Sequence, residues 1–122
     1  MPAVRMCFAL DLKDDPTLIE EYRRYHAPGG PPAAVTRALR ASGIELLEIY
    51  LCGNRLFMLL EAGAGFSLRA KAQADATDPD VQRWEALMWR FQQPLPWGQP
   101  GEKWLPAEKI YALAEQPDDR SC

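Results

Sequence analysis

Ile44-Glu45-Leu46-Leu47-Glu48-Ile49-Tyr50-Leu51, followed by Cys52-Gly53-Asn54 and then Arg55-Leu56-Phe57-Met58-Leu59-Leu60-Glu61, is the stretch on which the fold turns. Both flanks are rich in aliphatic and aromatic residues, and the residues between them tolerate positive φ, so the stretch reads as an antiparallel hairpin. Leu47, Ile49 and Leu51 share one face of the first strand; Glu48 and Tyr50 share the other.

Upstream of this hairpin, Val4 to Leu12 alternates, with Val4, Met6, Phe8, Leu10 and Leu12 on one side, which predicts a strand. Asp14 or Asp15 can then cap a helix whose first turn accepts Pro16. Along that helix Leu18, Ile19, Tyr22, Tyr25 and His26 recur at intervals of three and four and form one inward stripe, while Glu20, Glu21, Arg23 and Arg24 form a solvated face. Ala27-Pro28-Gly29-Gly30-Pro31-Pro32 stops it, and Ala33 to Ser42 reads as a second helical piece ended by Gly43.

Downstream, Ala62-Gly63-Ala64-Gly65 leads into a helix expected over Phe66 to Ala76, and Asp78-Pro79 starts another from an N-cap aspartate and an N1 proline. Val81, Trp84, Met88 and Phe91 give that last helix a core-facing stripe. Gln93 to Gly101 reads as a stiff irregular loop, Glu108 to Leu113 as a closing strand, and Glu115 to Cys122 as a frayed tail.

The order β, α-α, β, β, α-α, β is an α+β pattern, the split βαβ of ferredoxin-like folds, with a four-stranded antiparallel sheet and helices on one face. The second face must be covered or functional, so a homodimer of the dimeric α+β barrel type is the expectation. One domain over residues 1–115 and a polar tail over 116–122 follow from the 122-residue length and 48% hydrophobic content. A formal charge of −3 with 14 scattered Lys and Arg residues disfavours a nucleic-acid partner and an anionic membrane surface. No apolar run is long enough to span a bilayer, and the N-terminus carries no signal-peptide pattern, so a cytoplasmic address is expected. Cys7, Cys52 and Cys122 are too scattered for a disulfide framework or a zinc site and read as reduced thiols; no metal is expected.

His26 is the single histidine, and an imidazole with an unperturbed pKa of about 6.5 is the side chain best placed for proton transfer near neutrality. Tyr22 stands one helical turn away, at about 5–6 Å between Cβ atoms, so one small polar ligand can touch both. The plain alternative is a histidine satisfied by the last carbonyls of its helix, whose dipole would favour the protonated ring.

Several segments together resemble the L-rhamnose mutarotase family, including its L-fucose members, from Phe8 to about Leu113. They are Phe8-Ala9-Leu10-Asp11-Leu12, Glu21-Tyr22-Arg23-Arg24-Tyr25-His26, Glu48-Ile49-Tyr50-Leu51, Asn54-Arg55-Leu56-Phe57, Val81-Gln82-Arg83-Trp84 and Ile110-Tyr111. The resemblance implies a dimeric ferredoxin-like fold without cofactor, a proton-transfer role for His26, a partner role for Tyr22, and a monosaccharide site lined by Tyr50 and Trp84. It implies an activity as well: exchange of the α and β anomers of a 6-deoxy-hexose through acid-base ring opening, with a lean to L-fucose. One departure is plain. Where the family continues to Trp-Pro-Glu, this chain has Gly30-Pro31-Pro32, so either Trp84, Trp89, Trp97 or Trp104 completes the pocket or substrate preference and activity have shifted, and hydroxyl selection is expected from the Trp97 to Trp104 loop. Asp11, the nearest carboxylate in sequence, reads as a strand-end turn residue. Two other functions share these features: a cofactor-independent monooxygenase on the same fold, and a non-catalytic sugar-binding or regulatory module.

Overall fold

A computed structural model of the chain describes residues 3–118. Strand β1 (Val4–Leu12) is followed by helices α1 (Pro16–Tyr25) and α2 (Ala33–Ala41). The hairpin β2 (Ile44–Cys52) and β3 (Arg55–Ala62) comes next, then α3 (Leu68–Ala76) and α4 (Pro79–Trp89), and finally the short strands β4 (Gln92–Gln93) and β5 (Leu105–Pro106).

Local chemistry sets the helix starts. Asp15 is extended, and its carboxylate accepts from the backbone N–H of Thr17 at 2.8 Å and of Leu18 at 3.2 Å, with Pro16 at the first helical position. Asp78 repeats the device for α4, accepting from the N–H groups of Asp80 and Val81 ahead of Pro79. Caps of this kind contribute about 1 kcal/mol each. At the other end of α1, Gly29 turns the chain at φ +82°, and Gly30 lies so close to the helix that a Cβ there would stand 2.5 Å from the carbonyl oxygen of Tyr25. A side chain at position 30 does not fit this path, which is why the Gly-Gly pair precedes Pro31.

The strands are ordered β2-β3-β1, with β4 and β5 both on the outer edge of β1, and every pairing is antiparallel. Tyr50 pairs with Phe57 and Cys52 with Arg55 across the expected hairpin, whose turn uses Gly53 at φ +63°. The fourth sheet position is filled differently from the expectation. Gln92–Gln93 pairs Leu12 and Asp11, Leu105–Pro106 pairs Ala9 and Phe8, and residues 94–104 are looped out between the two pieces. Glu108 to Leu113 forms no strand: with the edge of β1 already occupied, Ile110 is 89% exposed, and Leu113–Glu115 is a short 3-10 turn. Of the tail expected over 116–122, residues 119–122, and with them Cys122, lie outside the described residues; Cys7 and Cys52 are free thiols.

All four helices cover one face of the sheet. Beneath them the core divides into a cluster of Leu12, Tyr22, Leu56, Met88 and Phe91 and a second of Phe8, Ile44, Leu60 and Ala62, and a cavity lined by members of both separates them. The opposite face carries Tyr50, Phe57 and Trp97, all exposed. Asp11 points to that side too. It is not a turn residue: it sits within β1, only 4% exposed, and receives two hydrogen bonds from the Arg55 guanidinium at 2.8 and 3.2 Å. Among the described residues no helix is long and apolar enough to cross a membrane.

Candidate active site

His26 caps the C-terminus of α1, so its position follows from where Gly29 and Gly30 end the helix. Its Nδ1 lies 2.8 Å from the carbonyl oxygen of Tyr22. A carbonyl can only accept, so Nδ1 carries the proton and Nε2 keeps its lone pair. The ring stacks at 4.3 Å from the Tyr22 ring, tilted by 34°, and meets the Trp84 indole edge-on at 5.4 Å. Burial among these groups lowers the His26 pKa below 6.5, and the bond to the Tyr22 carbonyl opposes this only in part. The protonated ring expected from the helix dipole is therefore not the favoured form; loss of hydration outweighs the partial charge of a helix end.

Tyr22 is buried, and its hydroxyl oxygen accepts a hydrogen bond from the Gln92 side-chain amide at 3.1 Å. Burial pushes its pKa up to about 12 although the Gln92 bond pulls the other way. The hydroxyl thus stays protonated at neutral pH. Having accepted from Gln92, it has its own O–H left to give. Gln92 itself is buried, held in β4 directly after the core residue Phe91, and no local sequence signal separates it from an ordinary edge-strand glutamine.

These groups open onto a cavity of about 780 Å³. That lies within the usual range for small-molecule sites, roughly 300–1,000 Å³. Phe8, Val35, Met58 and Leu60 give it apolar walls, Tyr22, His26 and Gln92 one polar end, and Lys71 and Asp75 of α3 another polar patch. Trp84 and Trp104 both line it, and so does Pro31 from the segment that departs from the family pattern. The other two tryptophans do not: Trp97 lies over the Arg55 guanidinium at 4.9 Å, on the far side of the sheet, and Trp89 receives the Lys103 ammonium at 5.3 Å. The looped-out segment therefore reaches the cavity only at its end, through Lys103 and Trp104. Of the four residues assigned to the site by sequence, His26, Tyr22 and Trp84 come together here. Tyr50 does not; it is 56% exposed on the opposite sheet face, with its hydroxyl donating to Glu48 at 2.7 Å.

Chemically, the arrangement offers one neutral imidazole nitrogen, one phenol O–H donor and two indoles beside apolar walls. An imidazole near neutrality can accept and return a proton, and aromatic rings with apolar neighbours suit the C–H face of a sugar. Among the described residues no three His, Cys, Asp or Glu side chains converge as a metal site would require.

Three comparisons bear on this geometry. The sequence profile of L-rhamnose mutarotases matches residues 5–113. An L-fucose mutarotase of Xanthomonas campestris pv. campestris is 49% identical over 115 residues, covering 94% of this chain and 92% of that protein. A crystal structure of an L-rhamnose mutarotase from Formosa agariphila superposes with a TM-score of 0.61 at 17% identity, covering 90% of this chain and 98% of the other, and bears on the fold alone.

Proposed function

Since the chain belongs to the L-rhamnose mutarotase family, whose members are isomerases acting at the anomeric carbon, we propose that its cavity exchanges the α and β anomers of a 6-deoxy-hexose by acid-base catalysis at His26. The observation that carries this reading is the lone histidine, its Nδ1 2.8 Å from the Tyr22 carbonyl oxygen, packed between Tyr22 and Trp84 on a cavity roomy enough for a monosaccharide. Residues 1–115 act in it as one catalytic unit.

In the proposed reaction Nε2 takes the proton of the anomeric hydroxyl as the bond between the anomeric carbon and the ring oxygen breaks. The imidazolium so formed returns a proton to the ring oxygen, directly or through a water, to give the open-chain aldehyde. Rotation about the adjacent carbon–carbon bond and the reverse steps then close the ring on the opposite face, so no atom is gained or lost. General acid-base assistance of this kind is worth about 10² to 10⁴-fold. The Tyr22 hydroxyl, with its pKa near 12, acts as a donor that orients the ring oxygen and not as the base. Trp84 and Trp104 flank the sugar.

L-Fucose is the proposed substrate over L-rhamnose; the 49% identity to a protein named L-fucose mutarotase supports it. Saturation-transfer NMR of each sugar, with and without protein, tests the reading. Faster exchange, greater for L-fucose, is the expected result. An unchanged rate for both sugars would leave a binding module and remove the catalytic proposal.

The reading includes a homodimer in the cytoplasm. Support for the dimer comes from the helix-free sheet face, where exposed Tyr50, Phe57 and Trp97 lie around the ion pair of buried Asp11 with part-exposed Arg55. A second copy of the same face would cover these groups, and Tyr50 then belongs to that contact and not to the sugar site.

A further inference from the structure

Helix α3 is built unlike its neighbours. Leu68–Ala76 contains no buried residue: Leu68 and Ala72 border the cavity but stay exposed, and the other alanines face water. Its two partly buried side chains are Lys71 and Asp75, each 17% exposed, joined by an ion pair at 2.5 Å, and both line the cavity. A helix packed for stability alone would bury its apolar residues more deeply than its charged ones. An i,i+4 pair on a solvated face adds a few tenths of a kcal/mol, and withdrawing both charges from water works against even that. Folding therefore gains little from the inward pair.

Resting on the mutarotase reading, we propose that Lys71 and Asp75 recognise a pair of adjacent hydroxyls on the sugar, remote from the anomeric carbon held at His26. The Lys71 ammonium has three donors and gives one to Asp75, while a carboxylate has about four acceptor positions. One sugar hydroxyl donates to Asp75 and its neighbour accepts from Lys71, a match that a diol makes and an isolated hydroxyl does not. A hydroxyl missing from the sugar leaves a partly buried donor or acceptor of this pair without its partner, which discriminates strongly against that sugar. In L-fucose the cis pair of hydroxyls is at the third and fourth carbons, away from the anomeric centre. In L-rhamnose it is at the second and third. Lys71 and Asp75 thus take over a selection that the segment Gly30-Pro31-Pro32, with no carboxylate, cannot supply.

The test uses the full chain as wild type, Asp75→Asn, Lys71→Met, and the apolar double variant Lys71→Met with Asp75→Leu, each with L-fucose and 4-deoxy-L-fucose. Half-saturation is measured by ligand-observed NMR, which needs no turnover, and maximal exchange by saturation transfer. Each single variant should weaken L-fucose about tenfold with maximal exchange within about twofold of wild type. The 4-deoxy sugar should bind wild type weakly and lose nothing more in the variants. The double variant, with no charge to desolvate, should melt no lower than wild type and still bind L-fucose weakly. Equal weakening of both sugars would mean a structural role for α3, and unchanged half-saturation would mean no role; either overturns the proposal. Wild type that binds L-fucose with the predicted dependence on Asp75 yet exchanges no anomers would overturn the mutarotase reading and leave this one standing.

Discussion

Replacing Tyr22 by Phe separates the orienting role proposed for this residue from the proton-carrying role proposed for His26. The substitution keeps the ring that stacks on His26 at 4.3 Å and packs with Phe91, and deletes only the oxygen that accepts from Gln92 at 3.1 Å. Both partners are buried, so the Gln92 amide is left with a donor and no acceptor. Stranding such a group costs roughly 1–3 kcal/mol, whereas removing both partners is close to neutral. Tyr22→Phe should therefore lower the urea midpoint with an unchanged slope, and Gln92→Leu in the same background should recover most of the loss. For catalysis the deletion removes one neutral hydrogen bond to substrate, about 0.5–1.5 kcal/mol, or a two- to tenfold fall in anomer exchange. That is well short of the roughly 10² to 10⁴-fold attached to general acid-base catalysis. A loss as large as that of His26→Ala would refute the assignment and make the Tyr22 hydroxyl a proton carrier. Strict additivity of Tyr22→Phe and Gln92→Leu in stability would refute the buried hydrogen bond itself.

Because burial holds the His26 pKa below 6.5, exchange should stay level through neutrality and fall in acid with an inflection below that value; an inflection at or above 6.5 in the NMR rate profile would contradict the buried neutral ring. The same group makes the unfolded chain bind more protons than the folded one between those two pKa values, so its stability contribution is complete above about 6.5 and is lost as pH falls through the folded value. His26→Gln should lack this part of the acid loss in urea titrations. Gly30→Ala should destabilise by roughly 1–3 kcal/mol, because its Cβ would stand 2.5 Å from the Tyr25 carbonyl, while Gly65→Ala, with nothing within 4 Å, should be nearly neutral; equal midpoints for the two would show that the helix end is not held as described.

Much of the fold is written in short-range chemistry. Asp15 and Asp78 announce their helices because capping uses a residue and its own next three neighbours, and the hairpin follows from alternation around Gly53-Asn54. The strand expected over Glu108 to Leu113 is absent for the opposite reason. Ile110 and Tyr111 have strand-forming side chains, but a strand exists only against a partner, and the edge of β1 is taken by Gln92–Gln93 and Leu105–Pro106, pieces too short to carry a period. The site divides the same way. Helical spacing puts Tyr22 and His26 together, and Trp84 follows from the stripe of α4. Gln92, Lys71 and Asp75 reach the cavity only through tertiary packing, which leaves no local mark. Strand alternation did separate Tyr50 from Ile49, and since the helices cover the Ile49 side, Tyr50 faces away from the cavity.

The most direct test of the account is anomer exchange of L-fucose, followed by saturation-transfer NMR at neutral pH, in wild type and His26→Ala. The residue closes α1 instead of filling its middle, so the variant should keep the fold, and its circular dichroism should match wild type. Wild type should accelerate exchange well above the spontaneous rate, and the variant should lose roughly 10² to 10⁴-fold of the catalysed rate. Exchange by folded His26→Ala within a factor of about two of wild type would contradict the claim that this histidine carries the proton.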